Sequence, residues 1–352
     1  MKMEKPIYPI VMNTSFESLG LFDDYISFIW TPRFNSPGDF ELCLPIDERS
    51  LSWIQYGNYI CRVDDENVGI IEDIKLSVDQ FGSEMMIVKG RFLSSILARR
   101  IVATQTQFNN TPVSGAVWRL INDAILDPDI AARAIDNFKW HAYTTEETIT
   151  QQITGKNLCS AIEDICKAYD LGFKVTFNSN QQFVFSLYRG LDRTYDQNVN
   201  PRAIFSDKYD NLLASEYEEI YSTMVTDVLV AGEGEGLNRK TIWTRNVANT
   251  GLARYELYKD ARNTRSNEGE IPEAEYYNSL KSEGKEEITS YTKAFSGQVD
   301  FENVKYKTDV NIGDLCVIEN AKWGIRVNAR LIEVIESVSE TGEYTLNPTF
   351  GL

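Results

Sequence analysis

The first hundred residues alternate apolar and polar positions in the manner of half-buried β-strands. Four runs have this strand-like pattern: Phe40–Leu44, Tyr59–Val63, Val68–Val78 and Met85–Val88. The last two are separated by Asp79–Glu84, whose Gly82 is typical of a hairpin turn. The pattern predicts a β domain over residues 1–103.

The middle of the chain changes to the 3.6-residue period of amphipathic helices. Its predicted elements are, in order, a helix that opens at Thr111-Pro112, a helix capped by Asn157 and ended by a left-handed Gly172, and a hairpin of Phe173–Phe177 with Phe183–Tyr188. We therefore predict a small α/β domain over residues 104–195.

The last part of the chain, residues 196–352, returns to strand-like alternation. It is predicted to hold a strand over Met224–Ala231, a partner over Arg239–Thr244, a helix from Pro272 to about Lys281 that Gly284 ends or kinks, and strands from Phe295 onward. This pattern predicts a second β domain, with a helix-containing insertion near residues 255–293.

Two distant stretches repeat the same order of features. The first is Gly57, a strand with Cys61, Ile71–Ile74, Ser77-Val78 and Gly82; the second is Gly313, a strand with Cys316, Ile332–Ile335, Ser337-Val338 and Gly342. Hairpins with a turn glycine can look alike by chance, so accident is one interpretation. The other is a duplicated β domain, in which case three copies of the chain would present six quasi-equivalent modules.

Composition narrows the possible functions. A net charge of −17 on 352 residues opposes binding to phosphate backbones, and a single histidine, His141, excludes sites that need two imidazoles. Five cysteines without a CxxC pair predict reduced, buried thiols. The chain shows no signal peptide and no apolar run near the ~18 residues of a membrane span. We expect a soluble protein without membrane insertion or sequence-specific nucleic-acid binding.

The acid–base clusters in predicted loops are the candidate contact residues. They are Asp192 with Arg193, Asp260 with Arg262, and Arg254 with Glu256. A carboxylate within two residues of a guanidinium can order its own loop through charge-assisted hydrogen bonds. Such a pair can also line a subunit contact, where arginine is enriched, and both interpretations stay open.

No enzymatic motif emerges from the sequence. Gly232–Gly236 (GEGEG) resembles a phosphate loop only superficially, because its two glutamates would repel an anion, and a hairpin turn is predicted. The adjacent acids Glu72 and Asp73 would point to opposite faces of a strand, which does not suit a glycosidase pair. We predict no catalytic residue, no cofactor and no metal site.

A series of short motifs runs along nearly the whole chain. In chain order they are Phe34–Pro45, Gly69–Asp73, Val88–Val102, Gly155–Leu158, Asp192–Thr194, Ile204–Ser206, Asp210–Leu212, Val230–Gly234, Arg254–Glu256, Asp260–Arg262, Gly313-Asp314 and Asn347–Gly351. Together they resemble the tail-hub (baseplate-hub, tail-associated) proteins of siphophages and prophages of Gram-positive bacteria. Each motif is weak alone, and their order over nearly the whole chain carries the resemblance.

The resemblance implies a mainly β, α+β fold with two related tube-like β-barrel or split-barrel domains, a small α/β domain and a helical insertion. It implies a homotrimeric ring at the virion tail tip that joins the sixfold tail tube or distal tail protein to the tip, closes the DNA channel and meets the tape-measure protein. Longer members carry a C-terminal hydrolase or receptor-binding extension, which we expect to be absent here. The alternatives are a cell-wall (peptidoglycan) hydrolase and a host-glycan binding module of the tail.

Overall fold

A computed structural model describes residues 7–78, 82–289, 292–299, 301 and 304–351. Its amino-terminal part is a run of seven strands and one short helix: β1 (Ile10–Met12), β2 (Ser18–Leu21), β3 (Ser27–Thr31), β4 (Asp39–Pro45), α1 (Glu48–Trp53), β5 (Tyr59–Arg62), β6 (Asp65–Val78) and β7 (Glu84–Phe92). The hairpin predicted between β6 and β7 is present, although residues 79–81 of its turn lie outside the described residues.

The middle part is mixed α and β, as predicted. It contains β8 (Thr106–Pro112), α2 (Val113–Ile121), β9 (Phe138–Trp140), β10 (Thr148–Ile153), α3 (Leu158–Ala168), β11 (Gly172–Phe177) and β12 (Phe183–Tyr188). Asn157 caps α3, since its side-chain oxygen accepts hydrogen bonds from the amides of Cys159 and Ser160. The core of this part also includes Val68 and Ile70 of β6, so it packs directly on the first strands.

The last part returns to strands interrupted by one long helix. Its elements are β13 (Ile204–Ser206), β14 (Leu212–Ile220), β15 (Asp227–Ala231), β16 (Thr241–Arg245), β17 (Glu256–Asp260), α4 (Glu273–Glu287), β18 (Thr292–Val299), β19 (Leu315–Asn320), β20 (Ile325–Val338) and β21 (Tyr344–Gly351). Strands β15 to β17 form a separate three-stranded sheet, which lies between β14 and β18 in the sequence. We call this sheet together with α4 the insertion.

Two five-stranded groups have the same connectivity. The first β unit is β3-β4-β7-β6-β5 in spatial order, and the second β unit is β14-β18-β21-β20-β19. Numbered along the chain, both follow the order 1-2-5-4-3, and all neighbouring strands are antiparallel. Two unrelated segments would not be expected to share this nonsequential order, which supports duplication.

The pairing register of the two units also agrees. Val78 lies opposite Glu84 in the first unit, and Val338 lies opposite Tyr344 in the second, a displacement of 260 residues in both strands. The register shift that skips Glu72 in β6 recurs 260 residues later, where Ile332 of β20 is skipped. The long central strand is therefore matched through its bulge to its last residue.

The turns that lead into β5 and β19 agree as well. The amide of Gly57 donates to the carbonyl of Ile71 at 2.9 Å, and the amide of Gly313 donates to that of Leu331 at 2.8 Å. Both glycines have positive φ, 85° and 95°, a region that favours glycine. The predicted glycine correspondence thus reflects the same backbone turn.

The cysteines of the predicted repeat are not equivalent. Cys61 lies opposite Val68, whereas Cys316 lies opposite Ala329, which corresponds to Gly69. Gly69 faces Ile60, so Cys316 takes the position of Ile60 rather than that of Cys61. Both strands carry a cysteine by coincidence, because the aligned strands differ by one residue there.

Two glycines have roles other than the predicted ones. Asp170, with a φ of 55°, takes the left-handed position after α3, and Gly172 instead begins β11, where a Cβ would lie 2.4 Å from the Phe34 ring. Gly284 neither ends nor kinks α4, which continues to Glu287. A Cβ on Gly284 would lie 2.6 Å from Val230, so this glycine lets the helix approach the insertion sheet closely.

Candidate functional site

The first candidate surface is the seam at which the two β units join within the chain. Strand β3, the outer strand of the first unit, pairs antiparallel with the second half of β20, Trp30 facing Glu336 and Phe28 facing Val338. The pairing continues through a bridge between Arg33 and Glu333. Both β units therefore belong to one thirteen-stranded sheet.

A buried ion network crosses this seam. Arg62 of β5 donates to Glu336 of β20 at 2.9 Å, and both side chains are about 1% exposed. Lys307 lies 2.7 Å from the Asp65 carboxylate and 3.0 Å from the Glu336 carboxylate. Buried charges are tolerated when they are paired, so the network ties the seam to one arrangement.

The environment of the ion network keeps the Arg62 guanidinium charged and the Tyr344 hydroxyl neutral. Burial acts to lower the pKa of Arg62, but the hydrogen bond to Asp64 and the charge of Glu336 outweigh it and raise that pKa above its ordinary value. Burial, together with the charge of Glu336, raises the pKa of the neighbouring hydroxyl of Tyr344. Tyr344 consequently stays neutral and donates to Glu336 at 2.9 Å.

Asp192 and Arg193 lie beside the second unit and order a loop. The Arg193 guanidinium binds the Asp314 carboxylate at 2.6 Å, and both side chains are buried. The Asp192 side chain accepts from the amide of Thr194 at 2.8 Å. Asp314 also accepts from the amide of Leu191 at 2.7 Å, so it organises this loop. Nothing in the sequence marked Asp314 for this role beyond its place after Gly313.

The other four predicted contact residues lie on the insertion sheet as two separate pairs, at opposite ends of β17. Arg254 binds both Glu256 and the fully buried Asp227, the latter at 2.5 Å. Arg262 lies 3.0 Å from Asp260. The partners Asp227 and Arg239, which also binds Asp260, were not anticipated, because they lie on other strands.

These ion pairs shift the pKa values of their members. The hydrogen bond to Glu256 raises the pKa of Arg254. Burial opposes ionisation of Asp260, but its hydrogen bond to Arg239 outweighs this and lowers the pKa of Asp260. The structure therefore places one predicted pair at the second β unit and the other two pairs at opposite ends of β17 on the insertion.

The outer face of the insertion sheet, opposite α4, carries a row of apolar side chains. Leu229 of β15 faces Trp243 on one side and Tyr258 on the other. Trp243 and Tyr258 are 45% and 55% exposed, and their rings lie about two strand spacings, ~10 Å, apart. The Arg254 guanidinium stacks on Trp243 at 4.7 Å. We call this row the aromatic platform.

The groups considered for catalysis are not arranged for it. Burial raises the pKa of Cys61 and of Cys159 to about 12, so these thiols are poor nucleophiles at neutral pH. Glu72 pairs with Arg91 at 2.7 Å, and His141 is exposed. Among the described residues, no cluster of three His, Cys, Asp or Glu side chains is placed to hold a metal ion, and no helix there is long and apolar enough to span a membrane.

A cavity of about 430 Å³ opens where the two β units and the α/β part meet. Its charged lining is already paired: Arg33 binds Asp39, and Lys174 binds Glu66. The burial of Tyr188 raises its pKa, so it adds no charge. The charged side chains of this cavity are therefore already engaged in ion pairs.

The chain is similar to known tail proteins. The family described as "Siphovirus ReqiPepy6 Gp37-like protein" matches residues 9–352. The tail protein from Neisseria meningitidis MC58 superposes with a TM-score of 0.59 at 12% identity, covering 98% of this chain and 96% of that one. No curated protein matches the chain in sequence.

Two further solved structures share the fold. Prophage tail protein gp18 from Listeria monocytogenes EGD-e has a TM-score of 0.56 at 11% identity and covers 98% of this chain and 94% of its own. The 43 kDa tail protein of prophage MuSo2 from Shewanella oneidensis has 0.55 at 13%, with 97% and 98% covered. The mainly β fold predicted from sequence and its resemblance to phage tail proteins are thus confirmed.

Proposed function

We propose that this chain, which belongs to the Siphovirus ReqiPepy6 Gp37-like family of siphovirus tail proteins, is a structural subunit of the tail tip. Three copies form a ring that connects the tail tube or distal tail protein to the tip, meets the tape-measure protein, and closes the DNA channel until infection. Residues 1–103, 104–195 and 196–352 are its three domains. The subunit works by assembly, without catalysis.

The duplicated β unit is the observation that carries this proposal. Both units keep one strand order and one register through the bulge of the central strand. Three chains with two equivalent units each present six, so a threefold ring can face a sixfold tube. The candidate contacts Asp192, Arg193, Arg254, Glu256, Asp260 and Arg262 would then order loops around the ring.

The test is the mass of the purified chain in solution. Light scattering over a wide concentration range should give three times the chain mass of 40.2 kDa, which is about 120 kDa. Negative-stain images of that species should show a ring with six similar lobes. A mass that stays at one chain at every concentration, or rings with another number of lobes, contradicts the proposal.

The net charge of −17 suits a channel through which DNA passes, because a like-charged wall does not retain it. We include this in the proposal as a property of the lumen. A ring reconstruction whose lumen is lined mainly by lysine and arginine would contradict this part.

A second candidate function, binding of host cell-wall glycans, is favoured by the aromatic platform. Exposed Trp243 and Tyr258 offer flat apolar faces, and the nearby Arg254–Glu256 pair offers donors and acceptors for hydroxyl groups. Binding to purified wall glycans should fall at least tenfold in Trp243→Ala and Tyr258→Ala. Trp323→Ala, which alters an equally exposed tryptophan elsewhere, is the control. Equal binding by all variants removes this candidate.

A further inference from the structure

One edge of β6 is open where the equivalent edge of β20 is covered. The second half of β20 pairs with β21 on one side and with β3 on the other. The second half of β6 pairs with β7, and among the described residues no strand pairs with its other edge. The same backbone position is thus a seam in one unit and an open edge in the other.

Side-chain exposure follows this difference. Val334, Glu336 and Val338 are at most 1% exposed at the covered edge. The residues that occupy the same positions in β6 are all apolar and much more exposed: Ile74 at 41%, Leu76 at 55% and Val78 at 62%. A long apolar edge of this kind pairs readily with another strand, and proteins usually cover it.

The strand able to cover this edge is β14. It corresponds to β3, since each is the outer strand of its unit and pairs on one side with the second strand. Among the described strands, β14 pairs only with β18, and its Leu213 is 60% exposed. Within the described part of each chain there is therefore one uncovered edge of each type.

We propose that the outer edge of β14 in one copy pairs antiparallel with the second half of β6 in a neighbouring copy. This contact repeats between chains the seam that β3 and β20 form within the chain. The inference rests on the proposed trimeric function and names the residues that join its subunits. The partner that covers the open edge of β6 is a second copy of this chain.

The internal seam fixes the register of this contact. Trp30 corresponds to Tyr217 through the pairs along each unit, and Glu336 corresponds to Leu76. Tyr217 should therefore lie opposite Leu76, and Glu218 opposite Lys75. An aromatic residue facing an aliphatic one and an acid facing a base are both favourable cross-strand pairs.

The geometry also implies a closed assembly. Because the two edges of one chain differ, each contact is head-to-tail, and such contacts close into a ring when the rotation between units repeats. Within the chain, one seam already relates the first unit to the second. If every seam applies the same rotation of about 60°, three chains, with six units, complete the ring.

The test is a disulfide trap across the proposed strands. Lys75 and Glu218 are exposed, so Lys75→Cys and Glu218→Cys leave the core intact. Mixed and mildly oxidised, the two single variants should form a covalent dimer at least tenfold more than Lys75→Cys mixed with Leu252→Cys, which carries an exposed cysteine on the insertion, outside β14. A double variant with both cysteines should give dimers and trimers, and nothing larger.

Charge reversal provides a second measurement that needs no cysteine. Lys75→Glu alone and Glu218→Lys alone should each weaken association several-fold, and the combined variant should restore it. If the combined variant is weaker than both, the two residues are not opposite each other.

The outcomes separate this inference from the proposed function. Trimers of 120 kDa without a Lys75–Glu218 cross-link overturn the seam and leave the trimer standing. A specific cross-link that extends into open polymers supports the seam and overturns the closed ring. If neither a trimer nor a cross-link forms, both the seam and the trimer are overturned. An edge covered by a strand of another tail protein would give that result.

Discussion

The first and second β units share their backbone pairing but differ in the side chains at equivalent positions. At the equivalent position of the central strand, the second unit has Glu336, buried in an ion network, and the first has Leu76, exposed at an open edge. Their first two strands are joined by seven residues, 32–38, in the first unit and by the whole insertion in the second. Duplication has kept the register, while the side chains have adapted to different contacts.

The interiors of the two units differ in a related way. In the first unit the Phe40 ring lies against Gly69 and Gly90, where a Cβ would come within 2.4 Å and 2.8 Å of its atoms. At the corresponding positions the second unit has Ala329 and Phe350, both buried. One unit places a ring over two glycines, and the other has larger, buried side chains at both of those glycine positions.

Among the substitutions that test this comparison, breaking the ion network should have the largest effect on the free energy of unfolding. Arg62→Ala leaves the buried Glu336 without its guanidinium, and we expect the free energy of unfolding to fall by about 3–5 kcal/mol. Urea denaturation of the isolated chain measures it. Leu76→Ala, at the counterpart of Glu336, is the matched control and should change little. A loss below about 1 kcal/mol for Arg62→Ala would mean that the network adds little to the seam.

Adding one methyl group should distinguish the two interiors. Gly69→Ala forces a Cβ into the Phe40 ring, and we expect a loss of about 1–3 kcal/mol, although alanine is ordinarily the better strand residue. The reciprocal Ala329→Gly should cost about 0.5–1 kcal/mol through chain entropy. Denaturant unfolding of both variants provides the comparison. A stabilised Gly69→Ala would show that the Phe40 ring moves aside freely.

The repeated backbone was predictable from sequence because glycines and strand patterns mark it. Gly57 and Gly313 sit at turns that need positive φ, and Val78 and Val338 hold the same register. The prediction failed where glycine serves packing instead of a turn. Gly284 lies inside a helix, and the opposing side chains of Val230 and Thr244, 54 and 40 residues earlier in the chain, explain it.

The candidate contacts were predictable only in part for the same reason. Pairs close in sequence, such as Arg254 with Glu256, could be recognised from spacing. The partners Asp314 and Asp227 could not, because they are brought close by strand pairing across long stretches of chain. Sequence spacing reveals local ion pairs, and the fold alone reveals those that join units.

Lowering the pH should destabilise the insertion, which only the second unit contains. Burial opposes ionisation of Glu233, but hydrogen bonds from Lys240 and Ser266 outweigh it and lower its pKa to about 2. Its ordinary value is 4.5, so the ionised form stabilises the fold above that pH, and the stabilisation is lost as pH falls from 4.5 towards 2.

Since Glu233 is partly exposed, we expect the pH-dependent loss to be on the order of 1 kcal/mol. Urea unfolding at pH 6 and pH 3 should show a smaller difference for Glu233→Gln than for the unsubstituted chain. Glu235→Gln, which alters a glutamate of the same loop, should keep the full difference. An unchanged pH dependence in Glu233→Gln would assign the acid sensitivity to other carboxylates.

The smallest effect should come from Val78, one member of a matched pair of valines. Val78 and Val338 end the equivalent central strands, at 62% and 1% exposure. In the isolated chain Val78→Ser should cost less than about 0.5 kcal/mol, whereas Val338→Ser should cost about 2–3 kcal/mol by burying a hydroxyl and leaving a cavity. In the assembled ring, Val78→Ser should weaken association, because the same position is then covered. Equal losses in the isolated chain would show that the edge of β6 is already covered there, and the difference between the units would lie elsewhere.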